Sequence, residues 1–376
     1  MRRYYDLFRI PGVNQVIWSQ LVARFAMGMQ TITFAIHLQR TFGNYTVAGL
    51  AIAASTLGGA LSAPILGQWM AKLGIRPVIF TTTVLAPVFM LAIGFFPISE
   101  SFAILMALCL GLAIPPIQPA ARAVYPTLVD TENHRNAIYS IDAILQEIIW
   151  IVGPVLATLL IAFTNTEIPI ATMAAIQLFG GLWFISLKKV HQAPIPRSSQ
   201  RLGRVLKSKL VIVMILVNLL FVGSFAALEI GVVAALGSKQ AGFVICMLSI
   251  GSIIGGLAFG HMFKSSAALS KQLAIVLVGD LLIFFNATDA IWLGVCLFIS
   301  GIGVATAFGQ IGAIIGKAVA LNDTTEVYGW IGAGQNIGYG MGAAIAGFVV
   351  DNLSSTHSFG LASLLDALAM IVAILA

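Results

Sequence analysis

The chain has 376 residues, of which 59% are hydrophobic and only 9% are charged, and its mean hydropathy is +0.99. Soluble proteins carry about 25% charged residues because their surface must be solvated, so this composition excludes a soluble domain. The net charge of +6 comes mainly from basic loops between apolar runs. We interpret these loops as a signal of membrane topology and not of binding to nucleic acid.

Twelve apolar runs follow one another along the chain. They cover residues 14–38, 47–69, 78–97, 102–123, 137–162, 168–187, 210–236, 240–263, 272–288, 290–316, 328–350 and 358–376. Runs of about twenty residues can cross a hydrocarbon core about 30 Å thick as helices. Almost no residues remain outside these runs. We therefore expect an all-α integral membrane protein with twelve transmembrane helices, no extramembrane catalytic domain and no enzyme activity.

The longest basic segment, residues 188–209, lies between the sixth and seventh runs and contains two prolines and no acidic residue. We interpret it as a linker. The sequence therefore predicts an N-terminal six-helix bundle over residues 1–187, the linker over 188–209, and a C-terminal six-helix bundle over 210–376.

Lys and Arg residues in the loops predict the orientation of the spans. Alternate loops, counted from the N-terminus, hold 17 of these residues, whereas the other side holds only Arg40 and Lys239. Short loops rich in Lys and Arg stay in the cytoplasm. We expect a multi-pass protein of the plasma (cytoplasmic) membrane, with both termini and the linker on the cytoplasmic side.

Two sequence echoes relate the halves. Small residues recur every four positions in the second and eighth runs, which predicts close helix contacts; they are Gly59, Ala63 and Gly67, and then Ser252, Gly256 and Gly260. The fifth and eleventh runs also correspond: Tyr139, Gln146, Glu147, Gly153 and Ala157 match Tyr328, Gln335, Asn336, Gly342 and Ala346. Parallel six-helix repeats with a site at their interface are typical of secondary transporters.

The loop after the second run carries Gly67, Lys72, Gly74 and Arg76 at the spacing of a family signature, with Ala71 in place of its usual acidic residue. The fifth run carries Gly153-Pro154, similar to the Gly-Pro pair of the antiporter motif in drug-efflux members. On these motifs the chain resembles the major facilitator superfamily over all twelve spans, and within it a drug-efflux-like member. The resemblance implies two bundles that rock about a midplane site, with spans one, four, seven and ten lining the cavity.

Ionisable side chains inside apolar runs are functional candidates because they cost roughly 2.5–3.5 kcal/mol to insert. Those that lie well away from the ends of a run are Arg24, Glu147, Glu229, Asp280 and Asp366. Arg24 and Glu147 each lie about ten residues into a span, so both sit roughly 15 Å deep and can form an ion pair. The alternative is that this pair only locks two helices together.

Glu229 is the preferred candidate for proton coupling. The resemblance places span seven on the cavity, and no basic residue occurs inside a C-terminal span, so a buried carboxyl there favours its neutral form until water reaches it. Asp280 and Asp366 fall on spans that are peripheral in the family. For them the favoured interpretation is a protonated side chain that is hydrogen-bonded to a neighbouring helix.

Uncharged polar and aromatic residues complete the candidate pathway: Gln118, Gln146, Trp150, Gln310, Gln335, Asn336 and Tyr339. Together they suit an amphiphilic or weakly polar organic solute. The sequence thus predicts a secondary transporter that works by alternating access, with proton-coupled efflux as the leading version. Proton-coupled nutrient uptake is the nearest alternative, and a non-transporting membrane sensor or a membrane enzyme is a further one.

Cofactors and partners are expected to be few. The sequence has no phosphate-binding Gly-x-x-x-x-Gly-Lys-Ser/Thr loop and no metal-ligand spacing. We expect no cofactor and no metal, with the proton gradient as the energy source. The expected partners are a small-molecule substrate and membrane lipid, without nucleic acid, and the expected state is a monomer.

Overall fold

A computed structural model describes residues 7–96, 98–129, 131–191, 204–259, 268–319 and 324–375, and within these ranges the chain is helical with short connections. The first half contains α1 (Val13–Phe42), α2 (Tyr45–Leu73), α3 (Ile75–Phe95), α4 (Glu100–Leu112), α5 (Ile117–Leu128), α6 (Glu132–Phe163) and α7 (Glu167–Ser186). The short helix α8 (Lys188–His191) and a 3-10 turn (Arg204–Lys207) lie within the predicted linker, near its two ends. The second half contains α9 (Lys209–Leu236), α10 (Ala241–Phe259), α11 (Ala268–Leu282), a 3-10 turn (Ile283–Phe285), α12 (Ala290–Ala318), α13 (Thr324–Asn352) and α14 (Ser355–Ile374).

Eleven helical stretches among the described residues are long and apolar enough to cross a membrane, with α4 and α5 counted as one. Helix α13 has 29 residues and is less apolar because it carries Gln335 and Asn336 in its interior. With α13 the described helices give twelve membrane-length spans in two sets of six. The predicted fold class is therefore confirmed.

The sequence explains where the helices stop. Pro115 and Pro116 separate α4 from α5, because proline lacks the amide proton that a continuing helix needs. Gly43 ends α1 at φ +80° and Gly74 joins α2 to α3 at φ +91°. This region of backbone space favours glycine, so each turn needs only one or two residues.

Consecutive spans run in opposite directions, so every second span begins on the same side of the membrane. We call the side that holds Val13 and Leu73 the basic side, because most loop Lys and Arg residues lie there. The side that holds Phe42 and Tyr45 is called the opposite side. Residues 192–203 of the predicted linker lie outside the described residues, so the exact domain boundaries stay a prediction.

The two halves repeat the same helix contact between their second and fourth spans. In the first half, a Cβ atom at Gly58 would lie 2.6 Å from the Leu108 carbonyl oxygen. In the second half, a Cβ atom at Gly251 would overlap the Phe298 carbonyl oxygen. Glycine allows both helix pairs to approach with their backbones in contact.

The contact between the first and fifth spans is repeated too. Gly153 on α6 packs on the backbone of Gly28 on α1, and Gly342 on α13 packs on the backbone of Gly223 on α9. Gly153 and Gly342 are the positions that the sequence echo paired. The echo therefore reflects a structural repeat, and Gly153 of the antiporter-like motif is a packing residue within the first half.

The predicted small-residue faces are wrong by one residue in this conformation. A Cβ atom at Gly59 would have its nearest neighbours at 3.8 Å, and one at Gly67 would meet nothing within 4 Å. The buried face follows Ser55, Gly58 and Ser62 instead, because one residue turns a helix by about 100°. In the second half the tight contacts are likewise one position earlier. A Cβ atom at Gly256 would lie 3.2 Å from the side chain of Ala305 and would touch no backbone atom. Gly260 lies outside the described residues.

Candidate functional site

The two halves touch through small residues on the opposite side. At the start of α2, Gly49 packs on the Ala343 carbonyl of α13. At the start of α10, Gly242 packs on the Pro154 carbonyl of α6. These two contacts are equivalent under the repeat. Pro154 of the antiporter-like motif therefore lies at the junction between the halves.

Hydrogen bonds cap both of these helix starts from across the junction. Asp351 at the end of α13 accepts from Tyr45 N at 2.8 Å and from Thr46 N at 2.6 Å, and it also accepts from the Thr46 hydroxyl. Thr158 Oγ1 accepts from Gly242 N at 2.9 Å. The first N–H groups of a helix lack partners within the helix and attract negative charge. We call Gly49, Thr46, Asp351, Gly242 and Thr158 the seal.

On the basic side the halves make no comparable contact among the described residues. Cβ atoms added to glycines there would meet no atom within 4 Å; these are Gly67, Gly316, Gly329 and Gly332. Between described residues, the hydrogen bonds that join the halves involve Arg40, Thr31, Asp351 and Thr158, all on the opposite side or near mid-depth. The structure is therefore closed on the opposite side.

A chain of three hydroxyl and carboxyl groups crosses between the halves next to the seal. Tyr339 on α13 donates its hydroxyl proton to Glu229 Oε2 on α9 at 2.6 Å. The Thr31 hydroxyl on α1 lies 2.6 Å from the same Tyr339 oxygen. Because the Tyr339 proton is already donated to Glu229, Thr31 is the donor to Tyr339. Thr31 is about eleven residues, or roughly 16 Å, from the end of α1. We call Thr31, Tyr339 and Glu229 the inter-half triad.

A second polar cluster lies within the first half, nearer the basic side. Asp142 on α6 is its centre and is only 1% exposed. Arg24 Nη1 donates to Asp142 Oδ1 at 2.9 Å and to Gln20 Oε1 at 2.7 Å. Arg122 Nε on α5 donates to Asp142 Oδ2 at 3.2 Å, and the Tyr125 hydroxyl donates to Asp142 Oδ1 at 3.2 Å. The cluster ties α1, α5 and α6 together.

The predicted ion pair between Arg24 and Glu147 is wrong, because the partner of Arg24 is Asp142. Glu147 is half-buried five residues further along α6. Five residues turn a helix by about 140°, so Glu147 points to another face. Sequence reasoning missed Asp142 because the span was predicted to begin at residue 137, which put Asp142 near the membrane surface. The helix begins at Glu132.

Gln118, the candidate on span four, lies in the Arg24 cluster. With its amide oxygen turned toward the guanidinium groups, Gln118 accepts from Arg24 Nη2 at 3.0 Å and from Arg122 Nη2 at 3.1 Å. Arg122 differs from its neighbours because its side chain is 52% exposed. The cluster contains two guanidinium groups and one carboxylate, so it carries one net positive charge with Arg122 as its accessible member.

The remaining candidates do not join either cluster. Gln146 and Trp150 are half-buried on α6, and Gln310 is half-buried on α12. Gln335 donates to Asn218 Oδ1 at 2.9 Å within the second half, while the neighbouring Asn336 is exposed. Glu147 lies two helical turns before Pro154, so it shares the face of α6 that meets the second half at the seal.

The family-signature loop forms a tight basic turn. Gly74 connects α2 directly to α3, and Lys72 and Arg76 are exposed on either side of it. Within the described ranges, no group of three or more His, Cys, Asp or Glu side chains is placed to hold a metal ion.

Comparison with known proteins assigns the family. Residues 16–279 match the family model of the Major Facilitator Superfamily. The chain belongs to the major facilitator superfamily. No curated protein matches the sequence. As a member of this superfamily of secondary transporters, the protein is a multi-pass integral membrane protein.

Two solved structures of transporters share the fold. The human organic anion transporter MFSD10 (TETRAN) has a TM-score of 0.63 and 17% sequence identity, over 98% of this chain and 99% of that chain. A mutant of the nucleoside transporter NupG has a TM-score of 0.74 and 14% identity, over 96% of this chain and 98% of that chain. At these identities the likeness establishes the superfamily fold.

Proposed function

We propose that this superfamily member exports a small organic solute across the plasma membrane in exchange for protons. The basic side is then the cytoplasm, because short loops rich in Lys and Arg remain there. On this proposal both termini are cytoplasmic, and the seal closes the conformation described above to the outside. The proton gradient supplies the energy.

Alternating access accounts for the way the halves meet. The seal joins them through backbone contacts and two helix caps, both on the opposite side. Contacts of this kind form over short distances and break together when two rigid bundles rock. The structure therefore supports one end state of a transport cycle, and the other end state requires the seal to open.

The observation that carries the proton-coupling proposal is the position of Glu229. Its carboxyl group is linked through Tyr339 to Thr31 of the other half. When the seal opens, Thr31 separates from Tyr339, and water from the outside reaches the triad. Glu229 can then exchange its proton with the outside, so the charge of Glu229 becomes linked to the conformation of the two halves.

The solute is proposed to be amphiphilic and to carry at most one negative group. Gln146, Trp150, Gln310 and Asn336 offer uncharged polar and aromatic surface. Arg122 is the half-exposed cation of the Arg24 cluster, so a single acidic group on the solute would find its partner there. The organic anion transporter and the nucleoside transporter that share the fold give the two chemical classes to screen first.

The test begins with a thermal-shift screen of purified protein against organic anions and nucleosides, because a ligand that binds the folded state raises its apparent stability. A ligand found in this way is then measured in proteoliposomes. Glu229→Gln should abolish transport driven by a pH gradient, while exchange of solute at equal pH continues in part. Glu100→Gln, at the exposed start of α4, is the matched control and should transport like wild type.

Each outcome decides between the alternatives. Gradient-driven transport by Glu229→Gln at the wild-type rate would contradict proton coupling through Glu229, and Glu147 would become the next carboxyl to test. Solute that crosses the membrane in the same direction as the protons would identify uptake by symport. A sensor or an enzyme would exchange no solute across a sealed bilayer.

A further inference from the structure

A pair of acidic side chains lies inside the second half, away from the inter-half triad. Asp280 on α11 and Asp366 on α14 are both 0% exposed. Their carboxyl groups are within hydrogen-bonding reach of each other. Asp366 lies about eleven residues into α14, or roughly 16 Å from its start, which is near mid-depth. Two acids side by side at this depth need a physical explanation.

The surroundings of the pair contain unsatisfied oxygen atoms. Ser224 on α9 donates to Asp366 Oδ1 at 2.9 Å. Ser300 on α12 is 0% exposed and lies beside Asp280. No hydrogen bond among the described residues reaches Ser300 Oγ, either carboxyl oxygen of Asp280, or Asp366 Oδ2. Buried polar atoms in native structures are nearly always satisfied.

The negative charge of the two carboxyl groups also needs a proton or another cation to balance it. Among the described residues, the other titratable group that faces the pair is Cys296 of α12, and α9 contributes only the Ser224 hydroxyl. The basic residues Lys209 and Lys271 are exposed at the ends of their helices. Two adjacent carboxylates in a medium of low dielectric cannot both ionise without a counter-charge.

We propose that Asp280 and Asp366 form a proton-binding site inside the second half, with one proton held between the two carboxyl groups. A proton on Asp280 is donated to Asp366 Oδ2, and the Ser300 hydroxyl donates to the other oxygen of Asp280. The Ser224 hydroxyl keeps its bond to Asp366 Oδ1. One proton therefore satisfies all four oxygen atoms, and the donors from Asp280 and Ser224 stabilise the negative charge that remains on Asp366.

The site links protonation to packing between helices. Gly279, next to Asp280, packs directly on the Ser300 backbone, so the contact between α11 and α12 holds Asp280 beside Ser300. The folded protein keeps a proton here that an unfolded chain releases to neutral water. Stability should consequently fall as the pH rises, because the unfolded state binds fewer protons than the folded state.

The experiment measures the melting temperature of purified protein from about pH 6 to about pH 9, a range over which a free carboxyl group stays ionised. The variants are Asp280→Asn, Asp366→Asn and the double variant Asp280→Asn/Asp366→Asn, with Glu229→Gln as the control for a buried acid elsewhere. We expect the melting temperature of the wild type, relative to that of the double variant, to fall as the pH rises. A difference in melting temperature that stays constant with pH would overturn the proposal.

A second variant keeps the test decisive if the asparagine variants do not fold. Ser224→Ala retains both acids but removes a donor that stabilises the ionised form, so the alkaline loss of stability should move to higher pH. An unchanged midpoint would contradict the shared proton.

Replacing sodium by choline in the buffer separates the proton from a metal cation. Stabilisation of the wild type by sodium that the double variant lacks would mean that the site binds sodium, which also overturns the proposal.

Discussion

Asp142 is the residue on which the first half depends most for its charge balance. It is the only carboxylate within hydrogen-bonding reach of Arg24 and Arg122 among the described residues. Losing Arg24 leaves Asp142 with Arg122 as a partner. Losing Asp142 leaves two guanidinium groups close together without a counter-ion, which is a larger electrostatic cost in a buried place.

We therefore predict that Asp142→Asn destabilises the protein more than Arg24→Gln. Breaking a buried pair from one side costs about 3–5 kcal/mol, and the double variant Arg24→Gln/Asp142→Asn should recover part of that loss. Thermal unfolding in detergent measures the order. Glu147→Gln is the matched control on the same helix and should unfold close to wild type. Greater stability of Asp142→Asn than of Arg24→Gln would contradict this assignment.

The sequence predicted Arg24 and Gln118 as pathway candidates because polar groups inside a membrane are costly. The structure places both in one cluster, and their part in transport stays a prediction. The sequence did not predict the partner of Arg24. Asp142 and Glu147 lie five residues apart on one helix, and the choice between them depends on where α6 begins. Span edges read from hydropathy are uncertain by several residues, which is enough to exchange one carboxyl for the other.

At the scale of helices, the spacing of small residues predicted close contacts but not the face that makes them. Gly58 and Gly59 are neighbours, so two adjacent faces of α2 offer the same pattern. The carbonyl groups of α4 decide between them, since Leu108 O lies against Gly58. The repeat in the second half selects Gly251 in the same way.

We predict that Gly58→Ala and Gly251→Ala each destabilise the protein by about 1–3 kcal/mol, the usual cost of overpacking. The added Cβ atoms would meet carbonyl oxygens that cannot move without shifting a helix. Gly59→Ala and Gly67→Ala are the matched controls, because their Cβ atoms would meet ordinary contacts or open space. Thermal unfolding of the four variants gives the comparison. Equal losses at Gly58 and Gly59 would show that the tight face has been placed wrongly.

For the whole molecule, twelve spans and two related halves followed from hydropathy and from the internal echoes. The conformation did not follow, because one sequence must support both end states of a transport cycle. The seal shows the reason in detail. Gly49 and Gly242 meet backbone carbonyls of the other half. Every residue has a backbone carbonyl, so the residue types in the sequence do not identify these contacts. Asp351 sits at the very end of α13, where a carboxyl resembles any other loop residue.

The central claim is that the seal must open for solute to cross the membrane. The measurement is solute exchange by proteoliposomes containing the Thr46→Cys/Asp351→Cys variant, before and after treatment with a short thiol cross-linker that reduction can cleave. The two side chains are in hydrogen-bond contact, so the cross-link should hold the seal shut. Each single cysteine variant controls for loss of the native bond and for labelling of Cys109, Cys246 and Cys296. We predict that cross-linking stops exchange and that reduction restores it; exchange by the fully cross-linked protein at the untreated rate would contradict the account.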